Sequence, residues 1–344
     1  MLVLAMLIHV AVASDTAKSI VRHNELIELQ TRSRTQRHQL TDNPEAAEII
    51  LLAGDLESLA EAQANKLIQL YPEKTMAYSE IDALVPYLPG VYGSAGRATN
   101  LNLRRTQSNI YFSRFGSSRN PEVRHRPHES KELLFCFRGR RDCRVRTNIL
   151  DYPYNRQDVH VLETTGFMHW KDGVVGNKEA QRDFADIMAH SHFALCPRGM
   201  GLGSIRLFEA MEMGVAPVLL SDRYALPPGP DWGSFLLRIP ERDFGRLPEL
   251  LEPRVSESEE RGRRARDAWE QFFAPELVFD RMIDQLINIR KQRIISERWF
   301  RYMWPILQAY ASARPWVTGA ARGALDKAKQ SFGGKSRNER RADP

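Results

Sequence analysis

The sequence predicts an α/β protein made of two Rossmann-like units with a helical extension at its carboxyl end, and three observations lead there. Short apolar segments alternate with stretches at helical spacing along most of the 344 residues, the order expected of parallel sheets. A polar stretch carrying two prolines, residues 116–131 (GSSRNPEVRHRPHESK), interrupts that alternation. Beyond it, residues 193–222 (FALCPRGMGLGSIRLFEAMEMGVAPVLLSD) run strand, glycine loop, helix, strand, one complete βαβ unit. The division that follows is 1–115 for a first unit, 116–131 for a linker, 132–290 for a second unit, 291–330 for a helical extension and 331–344 for a disordered basic tail.

Composition narrows the class. Hydrophobic residues make up 42% and charged residues 27%, enough for packed cores in a chain long enough for two domains. No apolar run approaches the roughly 18–20 residues of a membrane span. The net charge of +6 is uneven: from Arg290 to Pro344 there are thirteen Lys/Arg against four Asp/Glu. The basicity belongs to the tail, so it does not mark the folded part as a nucleic-acid binder. Three widely spaced cysteines, Cys136, Cys143 and Cys196, form neither a disulfide framework nor a CxxC pair.

In chain order, Leu2–Val12 is apolar apart from His9. It reads either as a first buried strand, with Asp15 capping the next helix, or as a signal peptide ending at Ala-Val-Ala. Ala17–Leu29 has helical spacing and Thr31–Gln39 reads as a loop or helix end. Ile49–Ala53 is a short strand after the turn of Asn43-Pro44. Leu56–Tyr71 reads as one amphipathic helix stopped by Pro72, and Thr75–Ser79 as the next strand, with Glu80-Ile-Asp82 in the loop at its carboxyl end.

After the linker, Leu133–Phe137 is a strand, followed by an arginine-rich loop and a helix over Val145–Leu150. Val159–Glu163 is another strand and Asn177–Ala189 a helix. Phe235–Ile239 forms a last strand; Arg242–Leu251, Glu257–Phe273 and Pro275–Ile295 are helical. Trp299, Met303, Ile306, Leu307 and Tyr310 fall at helical spacing, with a kink expected at Pro305. This helix either packs back across the first unit or lies on an anionic membrane surface.

The glycine loop carries the chemistry. Gly199, Gly201 and Gly203 fall within six residues at a strand's carboxyl end, where open α/β sheets bind ligands. The helix behind it directs unpaired N–H groups and partial positive charge at the loop, and Arg198 and Arg206 flank it. Such a site suits a nucleotide diphosphate. The loop matches neither the dinucleotide fingerprint, since Ser204 stands at the third glycine, nor a P-loop. A tight turn for close packing explains the same glycines.

The pattern CPRGxGxGSxRLFEAxxxGxxPVLLSD resembles the signature of the exostosin-like glycosyltransferases, glycosyltransferase family 47. The resemblance is strong over Leu133–Phe244 and weak in the first half. It implies a GT-B fold, two Rossmann-like domains facing a cleft. It implies transfer of a sugar from a nucleotide diphosphate sugar to a glycan or lipid-linked glycan acceptor, with inversion at the anomeric carbon. Gly139, Arg146, Arg198, Gly199, Gly201, Gly203, Ser204, Arg206 and Glu209 then form the donor site. Glu209 accepts from ribose hydroxyls or, alternatively, pairs with Arg206 on the helix surface.

The chain has no Asp-x-Asp pair. A site built on arginines and a helix end needs no metal or cofactor. The base that deprotonates the acceptor is expected from the first unit, with Asp15, His23, Glu80 and Asp82 as candidates. Expected partners are the donor, the glycan acceptor and a peripheral membrane contact through 291–344, with no nucleic acid. The absence of an anchor at the amino end suits a bacterial cytoplasmic enzyme of surface polysaccharide synthesis. The rival classes are a binding module without turnover and an adaptor working through the basic tail.

Overall fold

The computed structural model describes residues 5–82, 85–96, 104–127, 129–164 and 178–313. The expected tail and much of the expected extension lie outside them. Two parallel sheets form the frame, as the α/β two-unit expectation requires. The first contains β1 (Leu7–Val12), β2 (Gln39–Leu40), β3 (Ile49–Ala53), β4 (Thr75–Ser79), β5 (Gly90–Tyr92) and β6 (Thr106–Ser108), ordered β2-β1-β3-β4-β5-β6. The second contains β7 (Leu133–Gly139), β8 (Val159–Glu163), β9 (Ser191–Pro197), β10 (Ala216–Leu220) and β11 (Leu237–Arg238), ordered β11-β10-β9-β7-β8. β3, β4 and β10 are buried along their whole length, which is why they read as unbroken apolar runs.

Of the two readings of Leu2–Val12, the structure has the strand. β1 is interior, with Ile8 opposite Ile49 on one side and Leu40 on the other. It leads into α1 (Ala17–Arg32), whose cap is Thr16 and not Asp15: the Thr16 hydroxyl accepts the Ser19 N–H at 3.2 Å. β2 begins at Gln39, the last residue of the stretch expected to be a loop or helix end.

The single helix expected over Leu56–Tyr71 is two, α2 (Leu59–Ala64) and α3 (Lys66–Leu70). Asn65 breaks it. Its side-chain oxygen accepts from the Leu67 and Ile68 N–H groups and its amide donates to the Ala13 carbonyl, so local side-chain bonding displaces the continuing helix. The other helices are α4 (Arg144–Asp151), α5 (Lys178–Ala189), α6 (Ile205–Met213), α7 (Leu247–Leu251) and α8 (Ser258–Phe272). Residues 241–246, expected to begin one helix with α7, are a separate 3₁₀ segment.

The chain then returns to the first unit. α9 (Val278–Gln292) starts three residues later than the sequence suggests and packs against α1, β5 and β6. α10 (Glu297–Phe300) and α11 (Trp304–Ala313) place Phe300, Trp304 and Leu307 among Ile50, Leu52, Tyr87 and Tyr92. The single helix expected across Trp299–Tyr310 is interrupted just ahead of Pro305: residues 301–303 form a 3₁₀ turn between α10 and α11, and Pro305 occupies the first turn of α11, where its missing N–H costs little.

One buried ion pair fastens this return. Arg105 is wholly buried and gives Glu297 two bonds, at 2.8 and 2.6 Å, while bonding the Pro86 and Tyr87 carbonyls and lying 3.4 Å over the Phe300 ring. Removing one partner strands the other charge in apolar surroundings. Glu297→Ala should therefore cost about 3–5 kcal/mol, measured by denaturant unfolding. A loss below about 0.5 kcal/mol, the usual effect of a surface change, would show that the pair does not hold the return segment.

Candidate functional site

Both sheets reverse strand order once, and in the second the reversal falls between β7 and β9. Ligands of open α/β sheets bind in the crevice beyond the carboxyl ends of strands at such a point. β7 ends there at Gly139 and β9 at Pro197, followed by the Arg198–Gly203 loop and α6. α6 stops at Gly214, whose φ of +75° places it in the left-handed region and whose N–H closes on Ala210 and Met211.

The entrance of α6 is crowded with buried donors that lack acceptors. Ser204 caps α6 in extended geometry, yet its buried hydroxyl makes no capping bond and has no partner. Arg206, 8% exposed, lies 4.8 Å over the Phe137 ring and 5.4 Å over Phe184. It donates to the Arg138 carbonyl, but its Nε and Nη1 are unpaired. Burial, and then the neighbouring Arg146, lower its pKa. Arg146, in the first turn of α4, reaches Asp142 at 2.9 Å and the Pro197 carbonyl at 3.4 Å, leaving Nε unpaired. Cys143 donates its S–H to the Arg198 carbonyl at 3.1 Å, and burial pushes this thiol up, so it stays protonated.

Buried guanidinium N–H donors without acceptors are costly unless an anion meets them. The arrangement is chemically a receptor for negative charge. Arg198 stands to one side of it, in an ion pair with Glu241 at 3.0 Å. Glu241 and Asp222 also exchange backbone-to-carboxylate bonds, at 3.3 and 3.1 Å, across the ends of β10 and β11. Glu209 is 9% exposed; it supports the charge on Arg206 and lines a crevice with Arg32, Arg114, Arg119 and Pro275.

The first unit closes over the loop. A Cβ built on Gly203 would stand 2.2 Å from Tyr111 Oη and 2.5 Å from the Gly93 carbonyl oxygen. One on Gly201 would stand 2.3 Å from Ser94 Oγ and 2.5 Å from Asp82 Oδ1. The Ala225 N–H bonds the Ala95 carbonyl at 3.1 Å and Gly96 pairs with Tyr224, so main chain meets main chain across the cleft. Asp82 thus reaches the glycine loop from the opposite unit. Burial raises its pKa; the Gly201 N–H opposes that rise and Asp142 adds to it.

A family model described as the Exostosin GT47 domain matches residues 105–253. The segment contains every donor-side residue named above. Residues 105–253 are similar to the exostosin GT47 domain.

The relatives agree with that assignment. An exostosin-1 homolog of Caenorhabditis elegans is 33% identical over 137 residues, 36% of this chain and 35% of that protein. Exostosin-1 of Drosophila melanogaster is 32% identical over 136 residues, 36% of this chain and 18% of that protein. A probable glucuronoxylan glucuronosyltransferase of Arabidopsis thaliana is 39% identical over 67 residues, 19% of this chain and 15% of that protein. The matched stretch therefore spans about a third or less of each relative's length. Among solved structures, a DNA-modifying β-glucosyltransferase covers 84% of this chain and 100% of its own, with a TM-score of 0.45 and 10% identity.

The candidates from the first unit separate by environment. Asp15 is exposed beyond β1, and His23 lies on α1 beside Asn24. Glu80 is held by Arg22 at 3.1 Å, by the Ser113 N–H at 2.9 Å and by the Tyr78 hydroxyl. Asp82 alone of the four is seen against the glycine loop. Sequence reading missed Asp142, Glu241, Ser94 and Tyr111. Asp142 sits four residues before Arg146 and had a usable signal in that spacing; the other three act through contacts made only in the fold. Among the described residues no group of three His, Cys, Asp or Glu is placed to hold a metal ion.

The glycines can be told apart by substitution. Gly203→Ala meets a backbone oxygen and should force the units apart, lowering Tm by several degrees and reducing activity. Gly199→Ala meets nothing nearer than Arg146 Nη2 at 3.4 Å and should stay within about 0.5 kcal/mol of the parent. Equal behaviour of the two variants in thermal unfolding would refute the close-approach account.

Proposed function

We propose that the protein is an inverting glycosyltransferase that moves a sugar from a nucleotide diphosphate sugar to a glycan or lipid-linked glycan. The observation that carries this reading is the set of buried, unpaired donors at the α6 entrance: Ser204 Oγ, Arg206 Nε and Nη1, and Arg146 Nε. A diphosphate leaving group develops negative charge as its bond to the anomeric carbon breaks, and fixed donors are worth most where that charge appears. Glu209 accepts from the ribose hydroxyls. Gly199 leaves Arg146 uncovered for the diphosphate, while Gly139 gives room to the Phe137 ring and Gly201 to Ser94 and Asp82.

The acceptor hydroxyl attacks the anomeric carbon from the face opposite the leaving diphosphate, and its proton passes to a carboxylate of the first unit. Asp82 is the best placed, since it reaches the glycine loop while Glu80 is occupied by its ion pair. The new C–O bond forms as the sugar–phosphate bond breaks, and the bonding pair leaves on the diphosphate. A raised pKa makes Asp82 a stronger base than an ordinary carboxylate.

Arg146→Ala and Arg206→Ala should weaken donor binding, read by calorimetry with a panel of nucleotide sugars, and should reduce UDP or GDP release to background. Wild-type-like turnover by either variant would sink the diphosphate assignment. Turnover should persist in chelator; complete loss with EDTA, restored by Mn²⁺, would overturn an arginine-only cradle.

Asp82→Asn should lower kcat by about 10²–10⁴-fold with donor KM little changed. Because the carboxylate is the active form, kcat/KM should fall as pH drops through the raised Asp82 pKa. The acid limb should therefore lie above the ordinary aspartate range and vanish in the variant. An unchanged acid limb in Asp82→Asn would assign the base elsewhere. Donor binding without turnover on any acceptor would favour the binding-module reading.

A further inference from the structure

We infer that the α10–α11 segment is a docking face for a bilayer surface bearing anionic headgroups, and that it presents the first unit to the membrane. Two faces of one short segment carry the argument. Phe300, Trp304 and Leu307 are buried in the first unit. On the other side Trp299 is 69% exposed, Tyr302 71% and Ile306 55%, with Ile294 67% exposed just ahead of them. The Trp299 and Tyr302 rings lie 6.1 Å apart, making one aromatic patch. The buried face needs the exposed face nowhere in its packing, so the aromatics are not a by-product of folding.

Positive charge predominates at the patch. Arg290 and Lys291 precede it in the chain and Arg298 and Arg301 lie within it. Glu73 of the first unit reaches the start of α10, where it pairs with Arg293 and accepts from Ser296 and the Arg298 N–H. From Arg290 to Leu325 the one carboxylate is Glu297. That carboxylate is buried against Arg105 and contributes no negative potential outside. The 31 residues that follow, 314–344, add eight Lys/Arg against three Asp/Glu. Tryptophan and tyrosine favour the headgroup region, and basic residues beside them are drawn to anionic lipid. A second copy of the chain would bring the same basic rim against itself, which disfavours a dimer through this face. The Arg105–Glu297 pair and the Trp304 indole, which donates to the Tyr87 carbonyl at 2.9 Å, hold the face rigidly on the first unit.

The inference does not depend on the sugar-transfer reading, and its test leaves that reading untouched. The full chain is mixed with vesicles of phosphatidylcholine alone, or with phosphatidylglycerol as about a third of the lipid, and binding is read by co-sedimentation. The chain should bind the anionic vesicles, weakly bind the neutral ones, and release as salt rises. Trp299→Ser with Tyr302→Ser, and separately Arg298→Glu with Arg301→Glu, should each weaken binding by about tenfold or more. Thermal unfolding should be unchanged, because these side chains project from the surface. Equal affinity for neutral vesicles, no vesicle binding, or full binding by the aromatic variant would overturn the inference. So would concentration-dependent dimerisation abolished by the same substitutions.

Discussion

The constraint on which the cleft depends is a meeting of two main chains. Gly203 approaches the Gly93 carbonyl so nearly that a methyl group does not fit between them. Around that point the Ala95 and Ala225 backbones bond, Tyr111 lies over the loop, and Ser94 and Asp82 reach Gly201. Gly201 and Gly203 therefore let the first unit come down onto the end of α6. That is the turn-and-packing reading of the loop; the proposed anion site rests instead on the unpaired donors behind it.

That closure depends on supports far from the cleft. Burial works against the charge of Arg22, but Glu80 and Glu25 outweigh it and raise its pKa. Glu80 in turn takes the Ser113 N–H, and Glu25 the Ser117 N–H at 2.8 Å, so the start of the linker is tied to α1. Asn120, a few residues on, donates to the Gln181 carbonyl at 3.0 Å, and the far end of the linker is tied to the second unit by Lys131, which donates to the Ala189 carbonyl at 2.5 Å. α9 then crosses back, where Asp280 accepts from Ser33 at 2.7 Å. The units are joined by both crossings, which keeps the Asp82 loop in register with the glycine loop.

What could be read from the sequence was what is local. The strand, loop, helix and strand of residues 193–222 each depend on neighbours within a few positions, and their limits in the fold differ by only a residue or two. The Asp82 loop was legible as the end of a strand. Its destination was not, because nothing in Glu80-Ile-Asp82 tells which carboxylate turns inward to Arg22 and which crosses to Gly201. The break at Asn65 escaped for a related reason: the apolar spacing of Leu56–Tyr71 continues across it. An asparagine in that run is ordinary until its side chain finds the Ala13 carbonyl of another strand. Arg105 and Glu297, 192 positions apart, carried no signal at all.

The GT47 match begins at Arg105 and ends at residue 253, so it holds the orphaned donors of the α6 entrance but not Asp82. On the proposed reading, that boundary separates the diphosphate side from the acceptor side. A diphosphate presents the same charge and geometry whatever sugar it carries, and one arrangement of arginines and helix end suits it. An acceptor hydroxyl belongs to a molecule whose shape changes with every product. The surface that selects it must be free to change with it, within the limit set by Gly93 and Gly203, where the first unit has to meet the second without a side chain between them.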